Sequence, residues 1–249
     1  MDIKKERAFL PDTEKMEALT RLSGKIAHDI NNILGAIEGY ATLAGNSLEG
    51  GDPAKEDMGE IRQAVAKAAG LTKQFLVFSG RSGQRKAPCD IGELLAGLPQ
   101  KAVNGGPAAE IGLAVQPGLP VISADRAGLE QALLNLLANA REALTGGGAI
   151  KVRAEAVSLK PSMVRSPAPE QAGAGFVRIS VADAGRGIPK ENLERLFEPF
   201  FSTKEKGKDT GLGLAAVYGI AKYHNGWVEV KSAPGRGSEF SIYLPVVNG

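Results

Sequence analysis

Apolar residues between positions 19 and 43 fall at Leu19, Leu22, Ile26, Ile33, Ala36, Tyr40 and Leu43. Spacings of three, four and seven fit a heptad seam on one helix. Asp29 interrupts that seam one turn before Ile33, and a flanking line of Ile30, Leu34, Ile37 and Ala41 widens the apolar face. Gly50-Gly51-Asp52-Pro53 then stops the helix and starts another. Met58, Ile61, Val65, Ala68, Thr72 and Phe75 keep heptad spacing along the second helix, which ends near Ser79-Gly80. Two helices joined in this way form an antiparallel hairpin, and a hairpin alone cannot bury two apolar lines. The pattern therefore predicts a dimeric four-helix bundle built from two chains.

Beyond the polar, proline-containing connection at 81–88 the pattern changes. Strand signals lie at Glu110–Val115, Val121–Ser123, Ala149–Val157, Phe176–Ala182, Trp227–Val230 and Glu239–Leu244. Helices are expected at Ile91–Ala102, Arg126–Leu144, Lys190–Leu196 and Leu214–Tyr223, and the Pro/Ala/Ser/Gly-rich stretch Lys160–Gly175 reads as a long hairpin loop. Short turns between successive strands favour a mixed sheet covered by helices on one face, a two-layer α/β sandwich. The organisation is then a linker over 1–13, a helical domain over 14–82 and an α/β domain over 88–247.

Composition narrows the function. The chain has 249 residues, 43% hydrophobic and 23% charged, as an ordinary globular protein does. Its 30 basic and 28 acidic residues are interleaved with a net charge of +2, which speaks against a nucleic-acid partner. The single cysteine, Cys89, excludes an internal disulfide framework and a cysteine zinc site. No apolar run reaches the roughly 18 residues of a membrane span, and residues 1–15 lack the apolar core of a signal peptide. A cytoplasmic location is expected, for a chain that can also be the soluble part of something longer.

The chemistry concentrates in a few places. Lys25-Ile26-Ala27-His28-Asp29-Ile30-Asn31-Asn32 lies inside the first helix. At 100° per residue His28 sits about 160° from the Ile26/Ile33 seam and so points outward. A lone histidine there is an ordinary solvated side chain. Asp29 beside it and Asn32 one helical turn on at i+4 change that reading, because they put a carboxylate and an amide within reach of the imidazole.

In the second domain, Asn135 and Asn139 project from one side of the helix that carries the Leu129, Leu133, Leu136, Leu137 and Leu144 face. Asparagine is a poor helix former, and two amide oxygens at i, i+4 can ligate Mg²⁺ and meet phosphate oxygens. A strand then delivers Asp183 into the glycine-bracketed turn Asp183-Ala184-Gly185-Arg186-Gly187, where a carboxylate can accept from a purine amino group while the glycines let the backbone pass close to the base. An ordinary Asp/Gly turn reads the same way in isolation. Phe197-Glu198-Pro199-Phe200-Phe201-Ser202-Thr203-Lys204 leads into a charged stretch to Asp209 and suggests an anchored hinge and a mobile lid. Thr210-Gly211-Leu212-Gly213 opens a helix whose N-terminal amides suit phosphate. Its G-x-G-x-x-A match is not a dinucleotide fingerprint, since no strand precedes it.

Taken in order, these motifs resemble the sensor histidine kinases of two-component systems, over nearly the whole chain from about Glu14 to Pro245. The likeness is closest to the subgroup with His-Asp-x-Asn-Asn and Phe-Glu-Pro-Phe-Phe-x-Thr-Lys, found behind PAS sensor domains and in nitrogen-regulation-like or cell-cycle kinases. The resemblance implies a dimeric helical hairpin followed by a Bergerat-type ATP-binding sandwich. It implies that His28 is the phosphoacceptor, with Asp29 fixing its tautomer and raising its nucleophilicity. Asn139, with Asn135, would hold Mg²⁺. Asp183, Gly185, Gly187, Gly211 and Gly213 would bind ATP, with Lys204 as a second electrostatic clamp. The phosphoryl group would pass to an aspartate of a response regulator receiver domain, and Asn32 would orient a water for dephosphorylation of that receiver.

Two departures stand out. Ala184 replaces the usual Asn or Thr of the first glycine motif, and no sensor or receiver domain is recognisable, so input is expected from an upstream sensor domain or protein. Two other classes stay open: a histidine phosphotransfer scaffold with little ATP turnover, which the intact Asp183 and Asn139 argue against, and a Bergerat-type ATPase clamp. The clamp needs a carboxylate one turn before Asn139, where this chain has Asn135.

Overall fold

The computed structural model describes residues 13–49, 52–78, 85–101, 109–144, 147–158, 175–204 and 210–246, with the backbone alone for helical residues 13–15, 17, 21–25, 28, 71, 73–77 and 100–101. The expected loop at 160–174 and the expected lid at 205–209 lie outside the described residues.

Two long helices come first, α1 (Thr13–Ser47) and α2 (Pro53–Phe78). Asp52 starts the second: its side chain accepts from the Ala54 amide at 2.9 Å, its carbonyl accepts from Lys55, and Pro53 takes the position where a missing N–H costs nothing. The helices pair as a hairpin, with Glu38 accepting from Arg62 Nε across them at 3.1 Å. Ala27 and Ala41 are buried at heptad spacing on α1, Val65 and Thr72 are buried on α2, and Met58 of α2 lies against Gly45 of α1. Ile26, Ile33, Tyr40 and Leu43 of the heptad seam and Ile30 and Ile37 of the flanking line are exposed on the single chain, Ile33 at 61% and Tyr40 at 75%. The apolar face that the heptad pattern marked is thus left uncovered by α2 within one chain.

The rest is a sheet with helices against one face. The elements are β1 (Ala87–Cys89), α3 (Ile91–Ala96), α4 (Leu98–Lys101), β2 (Ala109–Val115), β3 (Ile122–Ala124), α5 (Arg126–Ala143), β4 (Gly148–Ser158), β5 (Gly175–Asp183), α6 (Lys190–Leu193), α7 (Gly213–Tyr223), β6 (Trp227–Ser232) and β7 (Ser238–Pro245). Five strands order as β2-β4-β5-β7-β6, parallel between β2 and β4 and antiparallel elsewhere, while β1 and β3 form a separate antiparallel pair.

Strand alternation puts Ile150, Val152, Val177, Ile179, Val181, Ile242, Leu244 and Val228 on the inner face. They meet Leu129, Leu133, Leu136 and Leu137 of α5 and Val217, Ile220 and Ala221 of α7 in one core. The outer face carries a smaller aromatic cluster in which Trp227 stacks on Tyr243 with centroids 4.6 Å apart and Phe176 meets Trp227 edge-on.

Three local differences from expectation have plain causes. The helix expected over 91–102 breaks at Gly97, whose amide bonds back to Leu95 before Leu98-Pro99 restarts it. The helix expected over 190–196 ends at Leu193 and continues as turns, with the Arg195 amide on Asn192 and that of Glu198 on Arg195. Strand β1 falls at the end of the stretch read as connection. Met16 of α1 and Phe78 of α2 belong to the sheet-facing core, and the Phe78 ring lies 6.3 Å from that of Tyr218 on α7.

Candidate functional site

A cavity of about 470 Å³ opens between α5, the turn after β5, α6, the 200–204 segment and the start of α7. Asn139, Asp183, Gly187 and Lys204 line it, with Phe201 of the expected hinge; so do Glu142, Asn192, Leu214 and Ser238, which sequence reasoning did not single out. Glu142 was within reach of that reasoning, since it lies at i+3 from Asn139. Ser238 was not, because it arrives on a strand remote in sequence.

Asp183 ends β5 and is 6% exposed. Its carboxylate accepts from the Gly185 amide at 2.8 Å and from the Ser238 amide. Burial pushes the carboxyl above its ordinary value, and these two donors pull against that rise without cancelling it. An ionised carboxylate has about four acceptor positions, so two backbone donors leave it able to accept from a ligand amino group in the cavity.

The turn that follows is clamped from both sides. The Arg186 amide donates to Ala143 at the end of α5 at 3.1 Å, and the Arg186 carbonyl accepts from Gly235 at 2.7 Å. Ser232 Oγ accepts from the Ile188 amide at 2.9 Å and donates to Gly237 at 2.8 Å. At Gly187 φ is +69°, and any Cβ would run into the Ala233 carbonyl oxygen. Only glycine fits there.

Asn139, Glu142 and Ala143 form the α5 wall. Lys204 Nζ pairs with Glu142 Oε2 across it, and the Lys204 amide donates to Ser202 Oγ at 3.2 Å. Asn135, expected beside Asn139 at a metal, is outside the cavity lining. Its Nδ2 donates to the Gly213 carbonyl at 3.1 Å and its Oδ1 accepts from Gln131 at 3.2 Å, so it braces α5 against the start of α7. Gly211 and Gly213 are likewise outside the lining, at the root of α7. The N-cap of α7 is Leu212, which gives its first-turn amides no side-chain acceptor, while Leu214 of that turn reaches the cavity. Those amides suit a phosphate.

The far ends of the same helices are tied by His224, which is buried. Its Nε2 accepts from the Asp125 amide at 2.8 Å and its Nδ1 lies 2.7 Å from the Ile220 carbonyl. That arrangement requires a neutral ring with the proton on Nδ1, and burial lowers the ring's pKa accordingly. Asp125 in turn caps α5 through Gly128 at 3.0 Å.

For a divalent cation the wall offers the Asn139 amide oxygen and the Glu142 carboxylate. Among the described residues no group of three or more His, Cys, Asp or Glu gathers to hold a metal. Such a donor set fits Mg²⁺, which keeps several waters and shares its shell with substrate phosphates. His28, Asp29 and Asn32 lie on α1, and Asp29 and Asn32 are outside the cavity lining. Asp29 and Asn32 are exposed, and the expected outward direction of the His28 ring lies outside the described residues. Among the described residues no helix is long and apolar enough to cross a membrane.

Residues 124–248 match the family model described as histidine kinase-, DNA gyrase B-, and HSP90-like ATPase. The chain is 38% identical to the sensor kinase CckA of Brucella abortus over 95% of its length, covering 25% of that protein. It is 36% identical to the sensory histidine kinase/phosphatase NtrB of Rhodobacter capsulatus over 89% of its length, covering 60% of that protein. Among solved structures it is similar to full-length ShkA in complex with AMPPNP, with a TM-score of 0.61 and 28% identity, over 92% of this chain and 46% of that one. The chain thus spans between a quarter and three fifths of the length of these relatives.

Proposed function

The chain belongs to the histidine kinase-, DNA gyrase B-, and HSP90-like ATPase family, and from that premise we propose that it is an ATP-dependent protein histidine kinase that phosphorylates His28 and passes the phosphoryl group to an aspartate of a response regulator receiver domain. One observation carries the reading: a His-Asp-x-Asn-Asn helix stands on the same chain as a cavity lined by Asn139 and Asp183.

Asp183 accepts from the adenine amino group, and its fixed backbone donors hold it in place for that bond. The α7 first-turn amides and Lys204 take the phosphates. Asn139 would hold Mg²⁺, while Asn135 positions the wall by fixing α5 to Gly213. Magnesium, when bound, neutralises charge on the transferring phosphate. An imidazole nitrogen of His28 forms a bond to the γ-phosphorus as the bond to the ADP oxygen breaks. Asp29 holds the tautomer that presents this nitrogen.

The hairpin over 14–82 and the α/β unit over 88–247 divide the work between acceptor and nucleotide. The outward isoleucines of α1 form the seam of a homodimeric four-helix bundle. An upstream sensor supplies the input, the work is done in the cytoplasm, and Asn32 holds a water for dephosphorylation of the receiver.

Incubation with γ-labelled ATP and Mg²⁺ tests the reading. The expected label is lost in acid and survives alkali, as a phosphoramidate does. An acid-stable label, or none, would overturn it.

A further inference from the structure

The cavity contains a carboxylate that is already paired within the chain. Glu142 stands on the same face of α5 as Asn139, at i+3, and lines the same cavity. A negative side chain on the wall of a polyphosphate site is unfavourable by simple Coulomb repulsion. Its partner is Lys204, a cation that lines the same cavity.

Resting on the nucleotide-site reading above, we propose that Glu142 competes with the nucleotide's phosphates for Lys204, so that ligand binding exchanges one ion pair for another. The geometry suits an exchange. The Lys204 amide closes a local turn on Ser202 Oγ, and the long lysine stem gives its ammonium room to swing. Both members of the pair are partly exposed, with 26% and 47% of their side-chain surfaces open, and such pairs are weak enough to be displaced. A lysine presents a mobile point charge rather than a fixed fork, which fits a group that changes anion. Glu142 is in this sense a positioning residue: it sets where the Lys204 ammonium waits and how tightly phosphates must bind to take it.

The test is calorimetric titration of the whole chain with adenosine, Mg²⁺-free ADP and Mg²⁺-ADP at one ionic strength. Glu142→Gln is expected to tighten Mg²⁺-free ADP binding about fivefold. Adenosine affinity should stay the same, because adenosine has no phosphate. Glu142→Asp, which keeps the charge, should stay close to the unmutated protein. In a Lys204→Gln background the gain from Glu142→Gln should disappear. An unchanged or weaker ADP affinity in Glu142→Gln overturns the exchange, as does a gain of the same size without Lys204, which would be plain repulsion. A loss confined to Mg²⁺-ADP overturns it in favour of a metal ligand. If the unmutated chain binds neither adenosine nor ADP, the nucleotide site itself is wrong. Binding of both with no response to Glu142→Gln overturns the exchange alone.

Discussion

The amide of Phe200 donates to the carbonyl of Gly211 at 3.0 Å, and both residues have positive φ, +66° and +64°. The bond ties the start of the 200–204 segment to the root of α7. A Cβ on Gly211 would lie 2.5 Å from the Phe200 carbonyl carbon. Gly211→Ala should cost about 1–3 kcal/mol of backbone strain and open this junction. Proteolysis between residues 200 and 211 should accelerate and ADP affinity should fall. A variant with unchanged cleavage and affinity would mean that the closure is not needed.

His28→Ala should abolish labelling from γ-labelled ATP and leave nucleotide binding intact, because among the described residues none on α1 lines the cavity. Full labelling of this variant would move the phosphoacceptor elsewhere.

Asp183→Asn should weaken ADP binding by about 1–3 kcal/mol, the cost of one hydrogen bond to a buried acceptor. Burial raises this carboxyl above its ordinary value, so ADP affinity should begin to fall at a pH above the usual carboxylate range as the group protonates. Stability moves the other way. A raised folded-state pKa contributes stability below the ordinary value that is lost as pH rises through the raised one. Asp183→Asn should therefore melt higher than the unmutated protein at neutral pH, and the advantage should vanish in acid. A melting difference independent of pH would contradict this.

The outward Ile26, Ile30, Ile33 and Ile37 predict a dimer at micromolar concentration, since each buried aliphatic side chain stabilises by about 1.5–3 kcal/mol. Ile33→Asp should give a monomer by light scattering with the α/β unit still folded by circular dichroism. A monomeric mass for the unmutated chain would rule the bundle out.

Asn32→Ala should keep most His28 phosphorylation and slow dephosphorylation of a receiver aspartate, because an amide can orient water but cannot replace the nucleophile. The two rates are read on one purified receiver with ADP present. Equal loss of both assigns Asn32 to structure.

The sheet was legible because its inner face alternates plainly, as at Val177, Ile179 and Val181, and because turn glycines punctuate it. Strand β1 was not: Ala87-Pro88-Cys89 is three residues long and is a strand only through its pairing with Ile122–Ala124. Asn135 and Asn139 share spacing and composition, yet one lines the cavity and the other holds Gly213. That division is set by where α7 begins, which helix periodicity cannot report. The Glu142–Lys204 pair joins segments far apart in sequence, so no local pattern announces it. Along α1 the period showed that a face is apolar, while the burial of Ala27 and Ala41 depends on how closely two backbones approach.

Phe78 at the foot of α2 touches Tyr218, Tyr218 lies 6.4 Å from Phe197, and Phe197 meets Phe240, which lines the cavity. Aromatic rings thus follow one another from the foot of the hairpin to the wall of the cavity, so the packing of α2 and the shape of the wall depend on the same few side chains.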